Sequence, residues 1–202
     1  MFAQVIRGQV SDRDEVHEAL DRWMRDLAPG ATGWLGSTAG VTEDGRFIAV
    51  VRFDSAEAAR RNSHRSEQDR WWTETSKLFT TETTFRDSTD VTVDVNGEPD
   101  RAGFVQMMEG RGSDPARAKQ LMSQDADKWA AFRPDVVGSV TIVHEGGRYT
   151  MAMFFTSEAE ARAGERKEAP PELAAQMAEM NKLNIGEPEF FDLNQPWMYS
   201  PR

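Results

Sequence analysis

The sequence spells one phrase twice. "TEDGRFIAVVRFDSAEAAR" (residues 42–60) returns as "HEGGRYTMAMFFTSEAEAR" (residues 144–162). Sliding the chain along itself by 102 residues, without a gap, pairs Phe2 with Phe104, Gln4 with Gln106, Gly8 with Gly110 and Asp12 with Asp114. The same offset pairs Gly36 with Gly138, Gly45 with Gly147, Phe53 with Phe155, Ser55 with Ser157 and Arg60 with Arg162. Charge divides evenly as well: of 24 basic and 34 acidic residues, residues 1–97 hold 12 and 17. A unit this long exceeds the roughly 20–50 residues of a solenoid repeat, so the chain reads as a duplicated domain. The expected division is a first half at 1–96, a linker at 97–103 within the turn-forming "NGEPDRAG", and a second half at 104–202.

Each copy repeats one order of elements. A short strand ("FAQVIRGQV", then "FVQMMEGR") leads to a capping residue, Asp12 or Asp114, the second followed by Pro115 at the first helical position. Val16, Leu20, Trp23 and Leu27 follow at helical spacing; Ala118, Leu121, Met122 and Trp129 do so in the copy. Two strands joined around Asp44-Gly45 or Gly146-Gly147 come next, and both dipeptides suit the positive φ of a tight hairpin. A second helix opens at Ser55 or Ser157, and a last strand lies near "TTFRDSTDVTVDV" or "EPEFFDLN". The order β-α-β-β-α-β is a ferredoxin-like unit, so the fold class is α+β. In "RFIAVVRF" and "RYTMAMFF" both faces are largely apolar, as in a strand covered on both sides. Two helices cover one face of a four-stranded sheet. Two tandem units pairing their sheets within one chain, as an intrachain α+β barrel, would cover the other.

Composition sets exclusions. An apolar fraction of 39% and a charged fraction of 29% are those of a soluble globular protein. With no Cys there are no disulfides, thiol nucleophiles or thiolate metal sites. The net charge of −10 argues against nucleic acid or an anionic membrane as a partner. The N-terminus "MFAQVIRGQV" lacks the basic and long apolar regions of a secretory signal, and no run of eighteen apolar residues exists; the expected location is cytoplasmic.

At this point the chain resembles the dimeric α+β barrel superfamily, in its antibiotic-biosynthesis-monooxygenase-like branch. That branch carries a strand ending in an aromatic, then Asp/Glu-Ser, then a helix with Glu-Ala, and the similar phrases here are "RFDSAEAARRNSHRSEQDRWW" and "FFTSEAEARAGERKEAPPELA". It covers both halves, as a fused pseudo-dimer would. It implies a family of cofactor-free monooxygenases, heme-degrading enzymes, isomerase-like enzymes and proteins without known activity. In the heme-degrading branch a second-helix histidine binds iron. That position falls near Trp71 and Trp72 here, and near Leu173 and Ala174 in the second copy, where no ligand stands. Gln4 falls roughly where that branch has an Asn.

Candidate chemistry is sparse. The three histidines, His17, His64 and His144, have no counterparts at offset 102, and none forms a metal-ligand pair, so no metal is expected. His17 reads as solvated among charges, and His144, before a hairpin turn, as a surface residue. No nucleophile elbow, dinucleotide fingerprint or phosphate loop appears, and no cofactor is expected. The sharpest feature is an asymmetry: the first copy carries "RNSHRSEQDRWW", the second "AGERKEAPPELA". Asn62, Trp71 and Trp72 are therefore the expected wall of a pocket for a small apolar or aromatic ligand, with His64 as catalytic base. Packing of either Trp into the core is the competing account. Gln4 is a further candidate contact, although its persistence as Gln106 favours a structural bond. Three functions stay open: a cofactor-free monooxygenase-like enzyme for an aromatic or polyketide-like substrate, a non-catalytic small-molecule binder, and a heme-binding protein. Further homo-oligomerisation also stays open.

Overall fold

The capping residues act where the sequence sets them. In the computed structural model, which describes residues 1–95 and 101–201, Asp12 accepts the backbone N–H groups of Asp14 and Glu15 at 2.9 and 3.1 Å. Helix α1 (Arg13–Asp26) starts behind it. Asp114 accepts from Arg117 at 2.9 Å, and α4 (Pro115–Ser123) follows. Ser55 and Ser157 accept from Ala58 and Glu160 at 3.2 and 3.3 Å and open α2 (Ala56–Ser63) and α6 (Glu158–Glu165). Each cap satisfies an N–H group that the helix leaves without an internal acceptor.

The chain divides into two units: Met1–Val91 with Gln195–Arg202, and Thr92–Asn194. The first contains β1 (Phe2–Gln9), α1, β2 (Trp34–Val41), β3 (Arg46–Phe53), α2, α3 (Ser66–Thr75) and β4 (Thr84–Ser88). Its antiparallel sheet has the order β10-β2-β3-β1-β4, where β10 (Trp197–Tyr199) comes from the C-terminal segment. The second contains β6 (Phe104–Arg111), α4, α5 (Ala126–Phe132), β7 (Val136–Val143), β8 (Arg148–Phe155), α6, α7 (Pro171–Leu183) and β9 (Glu189–Leu193). Its sheet has the order β5-β7-β8-β6-β9, with β5 at Asp90–Val95.

Each unit thus has the expected ferredoxin-like order and a five-stranded sheet in place of the four strands expected. The stretch read as one last strand in the first copy is two strands, β4 and β5, in different sheets. The C-terminal strand β10 has no counterpart among the sequence-based expectations. These two additions move the boundary from residues 96/104 to Val91/Thr92 and return Gln195–Arg202 to the first unit. Of the expected linker, residues 97–100 lie outside the described residues.

Both copies carry the same bulge, a register shift at Trp34/Gly36 on β2 and at Val136/Gly138 on β7. At Gly36 φ is +130°, and a Cβ there would meet the Tyr199 carbonyl at 2.9 Å, so the docked β10 requires glycine. The helix-side face of the first sheet holds two clusters. One centres on Phe2, Trp23, Leu27, Trp34 and Phe53, the other on Val16, Val41, Phe47, Ala49 and Trp197. In the second unit Phe104, Phe155 and Ala161 form the corresponding cluster. The opposite faces are also apolar and buried, with Ala3, Val5, Ile48 and Val50 in the first sheet and Val105, Met107, Ala152 and Phe154 in the second. Among the described residues no helix is long and apolar enough to cross a membrane.

Candidate functional site

Of the residues that the sequence singles out in the first copy, Asn62 and Trp71 spend their polar atoms on holding helices. The expected second helix breaks at Arg65 into α2 and α3, and Asn62 is buried at the break. Its Nδ2 donates to Gln68 Oε1 at 3.3 Å and its Oδ1 accepts from Arg65 Nη1 at 3.0 Å. Arg65 Nη1 also donates to the Leu27 carbonyl at 3.0 Å, and Trp23 Nε1 donates to the same Gln68 oxygen at 2.7 Å. Trp71 Nε1 donates to the Ala19 carbonyl at 2.9 Å, and its ring packs on the Trp23 cluster. Trp72, half-buried, stands 5.3 Å from Phe85 and 6.1 Å from Phe79, centroid to centroid. These contacts fasten α3 to α1 and to the sheet edge, and for Trp71 they are the core-packing account. Gln4 likewise spends its amide on the neighbouring strand, donating to Asp87 Oδ1 at 2.8 Å, and Gln106 does the same to Asp192 at 2.8 Å. His64 closes α2 and its ring is exposed to solvent. A base in water gains nothing from the fold and competes with solvent for every proton.

The shielded imidazole lies in the other copy. His144 is 9% exposed, against the surface position that the sequence suggests. The turn after β7 repeats the one in the first copy, with Gly45 at φ +81° and Gly147 at φ +76°. It closes on a hydrogen bond from the His144 N–H to the Arg148 carbonyl at 2.8 Å. The ring lies against β8, where Nε2 is 3.0 Å from Thr150 Oγ1. Thr150 pairs directly with Glu109 across β6 and β8, and its hydroxyl donates to Glu109 Oε1 at 3.0 Å. Thr150 is fully buried and Glu109 is 6% exposed. A carboxylate, a hydroxyl and an imidazole thus form one hydrogen-bonded chain, next to the buried apolar residues Val105, Met107, Ala152 and Phe154 of the same face. Buried ionisable groups on a sheet are candidates for chemistry. At offset 102 the first copy has Arg7, Ile48 and Thr42, so the chain exists once.

Sequence reasoning misses Glu109 and Thr150. The signal was present: both stand in the alternating stripe Val105, Met107, Glu109 and Thr150, Ala152, Phe154, where a polar residue on an apolar face must find a partner.

No family model matches the sequence, and no curated protein matches it. Solved structures do. A protein of Fusobacterium nucleatum subsp. nucleatum ATCC 25586, named "putative monooxygenase", superposes with a TM-score of 0.74 at 10% identity, covering 98% of this chain and 94% of that one. A Lactobacillus acidophilus NCFM protein of the same name gives 0.72 at 12%, covering 96% and 94%. An anthrone oxidase-like protein gives 0.67 at 10%, covering 98% and 92%. The chain has the monooxygenase-like fold of these proteins. The resemblance to the antibiotic-biosynthesis-monooxygenase-like branch therefore holds at the level of fold, over nearly the whole chain.

Within that fold the heme-ligand positions expected from the resemblance fall on α3 and α7. Trp71 and Trp72 there offer no iron ligand, and Leu173 in the second copy is buried in the core. The residues present do not fit a heme held in that manner. Among the described residues no group of three or more His, Asp or Glu side chains is placed to hold a metal ion.

Proposed function

We propose that this chain is a small-molecule oxygenase that works without a bound cofactor, on an aromatic or polyketide-like substrate with an acidic C–H. The observation that carries the reading is the buried chain Glu109–Thr150–His144. The names of the similar structures, two of them monooxygenases and one anthrone oxidase-like, support the class of reaction.

The chemistry asks little of the protein. A base takes a proton from an activated methylene group, and the carbanion delivers electrons to molecular oxygen. Overall one methylene group and one dioxygen molecule give one carbonyl group and one water. The methylene carbon supplies all four electrons, so the reaction balances without an external reductant. The base must be able to take a proton and be kept from water, and an imidazole can do the first. His144 meets the second; His64 does not. The apolar face around the chain favours a flat, weakly polar substrate.

Oxygen uptake tests the proposal. Purified protein with a chelator is offered anthrones and polyketide-like 1,3-dicarbonyl compounds. It should consume one dioxygen per product, and the product should carry one more oxygen and two fewer hydrogens. A protein that binds such compounds yet never speeds oxygen uptake would be a binding protein instead.

A further inference from the structure

This inference rests on the reading of His144 as the base and concerns which of its nitrogens reacts. A threonine hydroxyl carries one hydrogen and two lone pairs. Thr150 directs its hydrogen to Glu109 Oε1 at 3.0 Å. That hydrogen is the only one the hydroxyl has to give. Facing His144 Nε2 at 3.0 Å, the hydroxyl then has only a lone pair to offer. The ring must donate, and Nε2 must carry the hydrogen.

We infer that Thr150 is a positioning residue that locks His144 as its Nε2–H tautomer and so makes Nδ1 the atom that takes the substrate proton. In the neutral ring the lone pair sits on the nitrogen opposite the hydrogen bond, as in other sites where a partner fixes the tautomer. When Nδ1 is protonated, the new charge is felt through the hydroxyl by Glu109. Hydrogen bonds in such a chain polarise one another, more so away from water. Nδ1 is itself shielded from bulk solvent. Glu109 and Thr150 are register partners on neighbouring strands, which holds the chain to the rigid part of the unit. Arg7 and Ile48 are partners at the same register in the first sheet and supply neither the acceptor nor the hydroxyl.

Long-range 1H–15N correlation spectra of 15N-histidine-labelled protein, recorded where the ring is neutral, read the tautomer without any substrate. The expected His144 pattern is Nε2–H in the wild type and in Thr150→Ser, and a mixed or Nδ1–H pattern in Thr150→Val. Glu109→Ala, which frees the hydroxyl to turn toward the ring, should shift the pattern in the same direction if the valine variant fails to fold. His17 and His64 should not change. An Nδ1–H pattern in the wild type would overturn the inference, as would an unchanged pattern in Thr150→Val or Glu109→Ala. In turnover, Thr150→Ser should keep kcat and Thr150→Val should lose roughly 100-fold with little change in KM. If the wild type turns nothing over while the tautomer follows Thr150, the oxygenase reading fails and the positioning of His144 stands.

Discussion

Trp23 Nε1 donates to Gln68 Oε1 at 2.7 Å, and Trp129 Nε1 donates to Gln176 Oε1 at 2.8 Å. One pin fastens α1 to α3 and the other fastens α5 to α7. The residues do not match at the offset of 102 that relates the copies: the tryptophans are 106 apart and the glutamines 108. The second copy reaches the same contact by breaking its first helix at Asp125, in the left-handed region at φ 55°, and by starting α7 after Pro170. Removing the acceptor strands a part-buried indole N–H, which costs about 1–3 kcal/mol. Gln68→Ala and Gln176→Ala should each lower the unfolding free energy read from urea titration by that amount, and Gln68→Glu, which keeps an acceptor, should lower it less. Equal losses for Ala and Glu would mean that the hydrogen bond is not what matters.

The contrast between these pins and the buried chain shows how far a single sequence reaches. Caps, hairpins and the order of elements are local, and a gap-free repeat reads each of them twice; Asp12, Ser55, Asp114 and Ser157 all cap as expected. The pins are hidden because compensating helix breaks carry them off the common offset. The run of residues 83–95 hides two strands because nothing apolar changes at Thr89, where the chain leaves one sheet for the other. His144 looks solvated beside Glu145 and two glycines. Its hydrogen-bond partners are Thr150 across the turn and, through it, Glu109 one strand further, a partnership set by register and not by sequence neighbours. Gln4 and Gln106 invite the same question as Glu109, and there the inter-strand bond answers it.

The C-terminal strand holds the first unit from outside its continuous segment. Trp197 is buried against Val16, Val41 and Phe47, with the His17 ring stacked on it at 4.5 Å and the Arg13 guanidinium 5.3 Å from its centre. Tyr199 Oη donates to Asp21 Oδ1 at 2.8 Å; burial, and then that carboxylate, push its phenol pKa up. Ending the chain before residue 195 exposes this cluster and the outer edge of β2. The loss of one large aromatic alone is worth about 3 kcal/mol, or roughly 6–12 °C in Tm at this size. A peptide of residues 195–202 added back should recover part of the loss. Unchanged melting after truncation would show that β10 contributes nothing.

Asp135 predicts a pH dependence. Burial pushes its carboxyl pKa up, but the Arg133 guanidinium, 2.7 Å away, more than offsets this and holds it below the usual range. A group whose pKa is lowered by folding adds stability above its unfolded value, and that stability drains away as pH falls through the folded value. The contribution of the pair should thus be full above about pH 5 and shrink steadily below about pH 4. Breaking a buried pair costs about 3 kcal/mol at neutral pH. Urea midpoints of the wild type and Asp135→Asn should therefore differ at pH 7, and the gap should narrow as pH falls below about 4. A gap that stays constant with pH would refute the assignment.

The central claim is that the protected imidazole of the second copy, and not the solvent-exposed one of the first, carries the chemistry. The most direct test is oxygen uptake by His144→Gln and His64→Gln beside the wild type, with a substrate found in the screen and both variants shown to fold by their melting curves. His144→Gln should lose roughly 100-fold or more in kcat while still binding the substrate, and His64→Gln should match the wild type. Full activity in His144→Gln, or its loss in His64→Gln, would contradict the account.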